Sequence, residues 1–340
     1  DGAAKISGRL GNGLSIGLLD AVTERVQGTQ SRTIEPLANY GVIRLQQDLR
    51  GGNSGVGVMV TNTTRQLDNW TRDVLRSGAL TGGFDMRHRF SQNRYQLSAQ
   101  LAGSRVTGSA AAIARTQRSN VHLYQREDAS HLAFDSTKTS LAGSMAQMSI
   151  DKQGGGITRF NTSAWYIAPG FEINDLGFRT RSDEAGASVW FALRPNKPFS
   201  IFRRGQLNFN AYSTYNTGGM AIGNGGNINA NGQFVNFLNG YAGVGINNVT
   251  ATYSDRNARG GPAMYQPQRL QTWFGMDGDS RKAIQPSMNF NGGRRTDGRH
   301  GHGEGADCRS RGRTAHVREP AGPGEGGRSL LRLAPSTAPR

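Results

Sequence analysis

The chain has a single cysteine, Cys308, so no internal disulfide can form, and no Cys/His spacing matches a zinc site. Long apolar runs are missing too. No stretch approaches the roughly 18 consecutive apolar residues that a spanning helix needs, which excludes a helical membrane protein. Acidic residues are scarce: 24 Asp and Glu stand against 40 Lys and Arg, for a net charge of +16. Apolar side chains make up only 35% of the 340 residues. Glycine is abundant at 48 residues, about twice its average usage of roughly 7%. Such a composition favours strands and turns over helices. The chain opens at Asp1 without a methionine, a basic n-region or an apolar h-region. The expectation is a piece of a longer protein whose signal peptide was removed or never included.

Read in twos, the chain alternates. Ala4, Ile6, Gly8 and Leu10 share one face against Lys5, Ser7 and Arg9, and Gly11-Asn12-Gly13 signals a hairpin turn into Leu14, Ile16 and Leu18. The rhythm recurs over 40–49 and 56–61, 82–90 and 95–101, and 140–150 and 157–167. It continues over 185–193, 206–215, 227–238 and 241–253. These are about a dozen candidate strands, many near the roughly 9–11 residues that cross a bilayer at a tilt.

Short turns (11–13, 50–54, 91–93, 153–156) alternate with long polar loops (27–37, 64–79, 103–139, 169–184, 255–270). Short turns at one end and long loops at the other predict an all-β, antiparallel, up-and-down transmembrane barrel, incomplete in this chain. Its apolar face would meet lipid and its polar face a lumen. Tyr40, Phe90, Tyr95, Trp165, Trp190, Tyr215 and Tyr253, at strand ends, would suit interfacial girdles. A soluble β-sandwich or propeller alternates as well, but the small polar face here would make it a poor core.

The composition changes near Gly292. Residues 292–340 hold 11 Gly and 10 Arg with no Lys, Ile, Phe, Tyr or Trp. The expected division is therefore a barrel over 1–291 and a disordered Arg/Gly-rich tail over 292–340. Three readings of the tail stand: a frame-shifted translation, an ordinary disordered terminus, or an arm for nucleic acid or anionic lipid. Nucleic acid is not expected, because no aromatic is interleaved for base stacking. The tail's 10 Arg minus 5 Asp/Glu is +5, which leaves +11 on the body.

No catalytic signature emerges, and no cofactor or metal is expected. Gly51-Gly52-Asn53-Ser54-Gly55 matches G-x-S-x-G in spirit only, and reads as a hairpin turn without the strand–turn–helix context. His88, in phase with Phe84 and Met86, reads as an interfacial histidine rather than half of a Ser/His pair. Carboxylate pairs such as Glu172/Asp175 and Asp183/Glu184 fit solvated loops better than glycoside hydrolysis.

The arginines say more. Arg44, Arg87 and Arg89 fall on strands, while Arg105, Arg115, Arg118 and Arg126 crowd the long loop opposite only Glu127 and Asp128. The middle of that loop, residues 110–115, reads as a short helix folded into the lumen. Two outcomes are open: pairing with carboxylates or lipopolysaccharide phosphates, or a positive ring that selects anionic solutes. The segment 171–178 mixes apolar residues with Glu172, Asn174 and Asp175, as a plug contact or a saccharide-binding edge would.

Several segments are distinctive: GAAKISGR (Gly2–Arg9), EPLANY (Glu35–Tyr40), QQDLRGGN (Gln46–Asn53), the loop Gly103–Asp128, PGFEINDLGFRTRSD (Pro169–Asp183) and RGGP (Arg259–Pro262). Over residues 2–290 they resemble an uncharacterised bacterial outer-membrane β-barrel family. In that family the barrel usually follows a secreted β-sandwich similar to family-nine carbohydrate-binding modules. The resemblance implies an outer-membrane location, with lipid and lipopolysaccharide as partners and saccharide or anionic solutes as ligands. The expected function is solute passage or binding linked to saccharide handling, with a membrane-associated hydrolase of polysaccharide or lipid as the alternative. The chain departs from the family in lacking the upstream domain, the closing strands and a terminal aromatic.

Overall fold

A computed structural model describes residues 1–297 in full and residues 300–310 and 313–317 as backbone. The strands come in chain order. The first eight are β1 (Gly2–Arg9), β2 (Leu14–Thr23), β3 (Val26–Gln27), β4 (Thr33–Glu35), β5 (Ala38–Leu49), β6 (Ser54–Arg65), β7 (Gly78–Phe90) and β8 (Tyr95–Thr107). Helix α1 (Ala110–Arg118) follows, then β9 (Ser140–Lys152), β10 (Thr158–Ile167), β11 (Glu184–Leu193), β12 (Phe202–Tyr215), β13 (Ala221–Phe234) and β14 (Asn239–Asn247). Last come β15 (Thr252–Ser254), β16 (Met264–Gln266), β17 (Arg269–Asp277), β18 (Ile284–Arg295), β19 (His300–Ser310) and β20 (Arg313–Val317).

Sixteen strands form one antiparallel sheet in which each pairs with the next, while β3–β4 and β15–β16 are separate ribbons within loops. The all-β antiparallel meander is as the alternation predicts. The sheet is not closed into a barrel: among the described residues β1 pairs with β2 alone and β20 with β19 alone, which leaves both edges open. Strand β18 runs from Ile284 to Arg295. Strands β19 and β20 also lie beyond residue 291, and the tail's segment 318–340 is outside the described residues. Strand β17 carries the alternation Leu270, Thr272, Phe274 and Met276 that the sequence reading did not isolate.

The register sorts side chains by chemistry, because partners across a ladder point to the same face. One row joins Val58, Phe84, Leu101 and Ala146 through β6–β9. Another joins Val189, Ala211, Gly226 and Ile246 through β11–β14. The opposite face carries Gln100, Gln147 and Trp165 in one row, and Trp190, Asn210, Asn227, Gly245 and Gln271 in another. Asparagines on this polar face bond each other: Asn208 Nδ2 donates to Asn229 Oδ1 at 2.8 Å, and Asn210 Nδ2 to Asn227 Oδ1 at 2.9 Å. Trp165, Trp190 and Tyr40 share it, so they are not on the apolar surface where a girdle would need them. Trp165 instead donates to Glu184 and Trp190 to Asn208. Phe90, Tyr95 and Tyr215 do fall on the apolar face.

The connections segregate as well. One end of the sheet carries the short turns 10–13, 50–53, 91–94 and 235–238, and the other carries 24–37, 66–77, 108–139, 168–183 and 248–268. The loop end holds the buried core. Val106 of β8 and its partner Leu141 of β9 lie on the polar face, where Ile113 of α1 packs against them. Burying such side chains contributes roughly 1.5–3 kcal/mol each. Helix α1 starts at Ser109, whose hydroxyl accepts from Ala112 N at 3.2 Å, and its alanines favour the helix. Its buried Gln117 is satisfied on both sides, donating to Asp135 O and accepting from Asp135 N. The loop helix expected over 110–115 is present, folded onto the polar face of the sheet.

Candidate functional site

The loops at this end pack over the polar face as one layer, here called the plug for its place on that face, and two buried charged networks hold it. The first is built on the segment 168–183. A Cβ on Gly143 of β9 would lie 2.2 Å from Phe171 N, and one on Gly170 would lie 2.2 Å from Ala142 O. Only a chain without side chains at both positions can lay this loop so closely on the strand. Phe171 is then buried, and Glu172 N donates to Ser104 Oγ at 2.9 Å.

Glu172 Oε2 sits 2.9 Å from His122 Nε2 and 3.3 Å from Arg76 Nη1, and its Oε1 accepts from Asn174 N at 2.7 Å. His122, fully buried, uses its Nδ1 on Pro169 O at 2.7 Å. Asp175 receives Arg65 at 2.7 Å and Arg76 at 3.0 Å. Burial pushes the Glu172 carboxyl up, but the His122 and Asn174 bonds and the Arg76 charge outweigh it and hold the group at about 2. A carboxylate so placed is ionised at neutral pH and cannot act as a general acid there.

A depressed folded pKa gives stabilisation that is present above the unfolded value of 4.5 and is lost as pH falls through about 2. At neutral pH this is about 3 kcal/mol. Acid titration followed by hydrogen exchange at loop 168–183 is expected to show protection falling between these values in the native chain. In Glu172→Gln the step should be absent.

The second network centres on Asp255, which with Arg126 is 1% exposed. Arg181 grips Asp255 bidentately at 2.8 and 2.7 Å, Arg126 Nη1 adds 2.7 Å, and Arg256 Nε lies at 3.9 Å. Burial raises the Asp255 carboxyl, and the Arg181 bonds with the charges of Arg181, Arg256 and Arg126 bring it below its usual range. Burial lowers Arg256 to about 10, with the Arg181 charge acting in the same direction and Asp255 opposing. Arg256 Nη2 also donates to Val121 O and Ser182 O, tying three loops together. Asp183 beside it accepts from His131 at 3.0 Å and from Thr217 N at 3.0 Å. Arg126 Nη2 and Arg256 Nη1 are buried donors without a protein acceptor among the described residues. The plug therefore presents guanidinium groups in excess of its most buried carboxylates, a setting suited to an anionic or hydroxyl-rich group.

The expected site residues divide by location. Arg126, Glu172, Asn174 and Asp175 meet in the plug. Arg44 lies on the polar face in a bidentate pair with Asp85, crossing over Gly57. Arg87 and Arg89 face the same way toward the turn end, near Asp48 and on Gln96. Arg105 is not in the loop as expected: β8 extends to Thr107, and register with Leu80 turns Arg105 to the apolar face. Arg115 and Arg118 are exposed on α1, and Arg118 stacks on Phe134 at 4.2 Å. The arginines thus form no single ring.

Arg65, Arg76, His122, His131, Arg181, Asp255 and Arg256 complete the networks without any signal in the spacing, together with Asp183, which the sequence pairs with Glu184. Their ion pairs join loops far apart in sequence, and local pattern carries no signal for them.

A serine–histidine pair does exist. Ser54 Oγ lies 2.8 Å from His88 Nδ1, on the apolar face at the turn end. Ser54 is His88's hydrogen-bond partner among the described residues, and the ring stacks on Phe90 at 5.9 Å. The Gly51–Gly55 segment is the hairpin turn it reads as, with β6 beginning at Ser54. His88 is at the opposite end of the sheet from Glu172 and Asp175, so these three do not converge.

A family model described as a domain of unknown function (DUF5916) matches residues 2–311, from β1 into the strands beyond Arg295. The match extends past residue 290, where the sequence resemblance was drawn. No curated protein matches the chain.

Proposed function

This chain belongs to the DUF5916 family, and on that premise we propose that it is an outer-membrane β-barrel protein whose plugged loop end binds or passes anionic or saccharide solutes. The observation that supports the reading is the distribution of the two faces. The polar face carries hydrogen-bonded asparagines and the plug, while the apolar face is bare along the sheet. Leu101 and Met148 are 57% exposed there, Ile228 49% and Phe274 47%. A soluble sheet would bury that face, whereas a barrel in lipid turns it outward. The reading requires the two sheet edges to be joined in lipid, since open edges are not tolerated there. By the usual barrel polarity the short turns face the periplasm and the plug faces outward, toward lipopolysaccharide.

Guanidinium groups in the plug support anionic or hydroxylated solutes over cations. A lipid-facing hydrolase built on Ser54 and His88 is the second reading, and Ser54's burial between strands weighs against it.

The test is placed on the apolar face. Phe84→Arg and Leu101→Arg, made in chain refolded into phospholipid vesicles, are each expected to cost about 2–4 kcal/mol near the bilayer centre. Urea unfolding of the reconstituted protein reads this out. Equal stability of variant and native protein, or a native chain that stays monodisperse in water without detergent, would sink the membrane reading. Reversal potentials across planar bilayers containing the native chain are expected to favour chloride over potassium.

A further inference from the structure

We propose that the apolar face carries a binding groove for an anionic glycerophospholipid at the turn end, with an acyl chain between two aromatic walls and the phosphate at a basic rim. The proposal rests on the membrane reading above for its biological setting, and its geometry can be tested apart from that reading.

The groove encloses about 560 Å³. Its floor is set by register. Gly205, Gly232 and Gly240 are successive cross-strand partners on β12, β13 and β14, and the next row inward pairs Ala230 with Ala242. The flanking partners in these rows are large, Leu207 on one side and Phe274 and Met276 on the other, so the small residues between them make a depression.

One wall is a ring stack. Phe199 lies over Gly205, Phe202 over Gly232 and Phe234 over Gly240, each where a Cβ would come within 3.0 Å of the ring. The rings stack at 5.4 and 4.8 Å. These contacts explain the glycines as seats for the rings, but they do not fill the space over the two alanines. Phe274 and Met276 of β17 form the other wall. An unbranched hydrocarbon chain fits such a slot.

Charge identifies the head group. Arg203 and Arg281 both stack on Phe237 in the turn between β13 and β14, at 3.9 and 3.2 Å from the ring centroid. Segments 194–204 and 277–283, which flank the groove, hold Lys197, Arg203, Arg281 and Lys282 beside Asp277 and Asp279, while Arg194 and Arg204 turn to the polar face with Gln206 and Asn231. Asp279 and Arg281 answer each other in a two-point pair and Asp277 accepts from Ser287, so Lys197, Arg203 and Lys282 carry the excess positive charge. Cations held on an aromatic beside an apolar slot match a phosphate ester attached to acyl chains. A zwitterionic head group would leave much of that charge unanswered.

The experiment uses the full chain in detergent micelles, with native mass spectrometry after addition of phosphatidylglycerol or phosphatidylcholine of matched acyl chains. Phosphatidylglycerol is expected to be retained roughly tenfold more strongly, from the basic rim. Ala242→Phe, which fills the floor, should remove retention of both lipids. Arg203→Ala with Arg281→Ala should erase the preference and leave chain retention in place. Undiminished retention in Ala242→Phe, or equal retention of the two lipids by the native chain, overturns the proposal.

Dihexanoyl-phosphatidylglycerol below its micellar concentration separates the two claims, because it stays in water. If the chain fails to enter bilayers yet binds this lipid in a manner abolished by Ala242→Phe, the membrane reading fails and the groove stands. If the chain inserts but binding is insensitive to Ala242→Phe, the groove fails alone.

Discussion

Replacing Asp255 with asparagine is expected to loosen the plug by about 3–5 kcal/mol, the cost of leaving buried cations without their counter-charge. Arg126 is almost wholly enclosed and Arg181 is held bidentately, so neither can turn to water without dragging its loop. The reporter is the Ser182 amide, which donates to Val121 O at 3.0 Å and bridges two loops. Its hydrogen-exchange protection is expected to fall about 150- to 4,000-fold, while strand amides of β7 and β8 stay unchanged. Removing a cation as well, with Arg126→Met in the same chain, should restore part of the loss, because an apolar side chain of similar volume needs no partner. Unchanged Ser182 protection in Asp255→Asn would mean the network carries no net weight.

A single methyl group should have a comparable effect at Gly143. The added Cβ of Gly143→Ala would meet Phe171 N at 2.2 Å and Gly170 C at 2.5 Å. Both are backbone, so the loop must lift rather than a side chain rotate. Overpacking of this kind costs about 3 kcal/mol. Lifting the loop would expose Phe171 and break the bond from Ser182 Oγ to Phe171 O at 2.6 Å. Trypsin cleavage at Arg179 and Arg181 is the measurement, and it is expected to accelerate at least tenfold over the native chain. Gly82→Ala serves as the control, since its Cβ would meet nothing within 4 Å. Equal cleavage of Gly143→Ala and Gly82→Ala would show that the close approach does not hold the loop.

Both predictions concern the polar face, because that is where this protein keeps its core. Val106, Ile113 and Leu141 are buried under the plug, while the large apolar residues of the strands remain uncovered. Stability of the loops is therefore electrostatic to an unusual degree. It should fall in acid as Glu172 is protonated, below the pH at which ordinary carboxylates titrate.

Much of the sheet was legible in the sequence. Alternation at Val56, Val58 and Val60, or at Tyr95, Leu97, Ala99 and Leu101, has a period of two, and a period of two is a property of the strand itself. The turns at Gly11–Gly13 and Gly51–Gly52 were legible for the same reason: a backbone with positive φ, as at Gly13, Gly51 and Gly52, selects glycine locally. Helix α1 could be read from its alanine run. The reading failed where a strand had no clear end. Arg105 looked like loop because it follows Gly103 and Ser104, yet the ladder with β7 runs on to Thr107. The aromatic residues at strand ends could be located along the chain, but the face each takes depends on a register of one residue, and Tyr40, Trp165 and Trp190 came out on the polar side.

By itself the sequence determined the secondary structure, the alternation of faces and the sorting of short turns from long loops, since each depends on neighbours in the chain. Tertiary structure alone decided the site. Asp255 meets Arg126 and Arg181, Arg65 meets Asp175, and His122 meets Glu172 only because the strands carry these loops to one end of the sheet. It also decided that Phe199, Phe202 and Phe234 lie over three aligned glycines. Local propensity acts over a few residues, whereas an ion pair requires only proximity in space, and no spacing along this chain encodes which charges will be brought together.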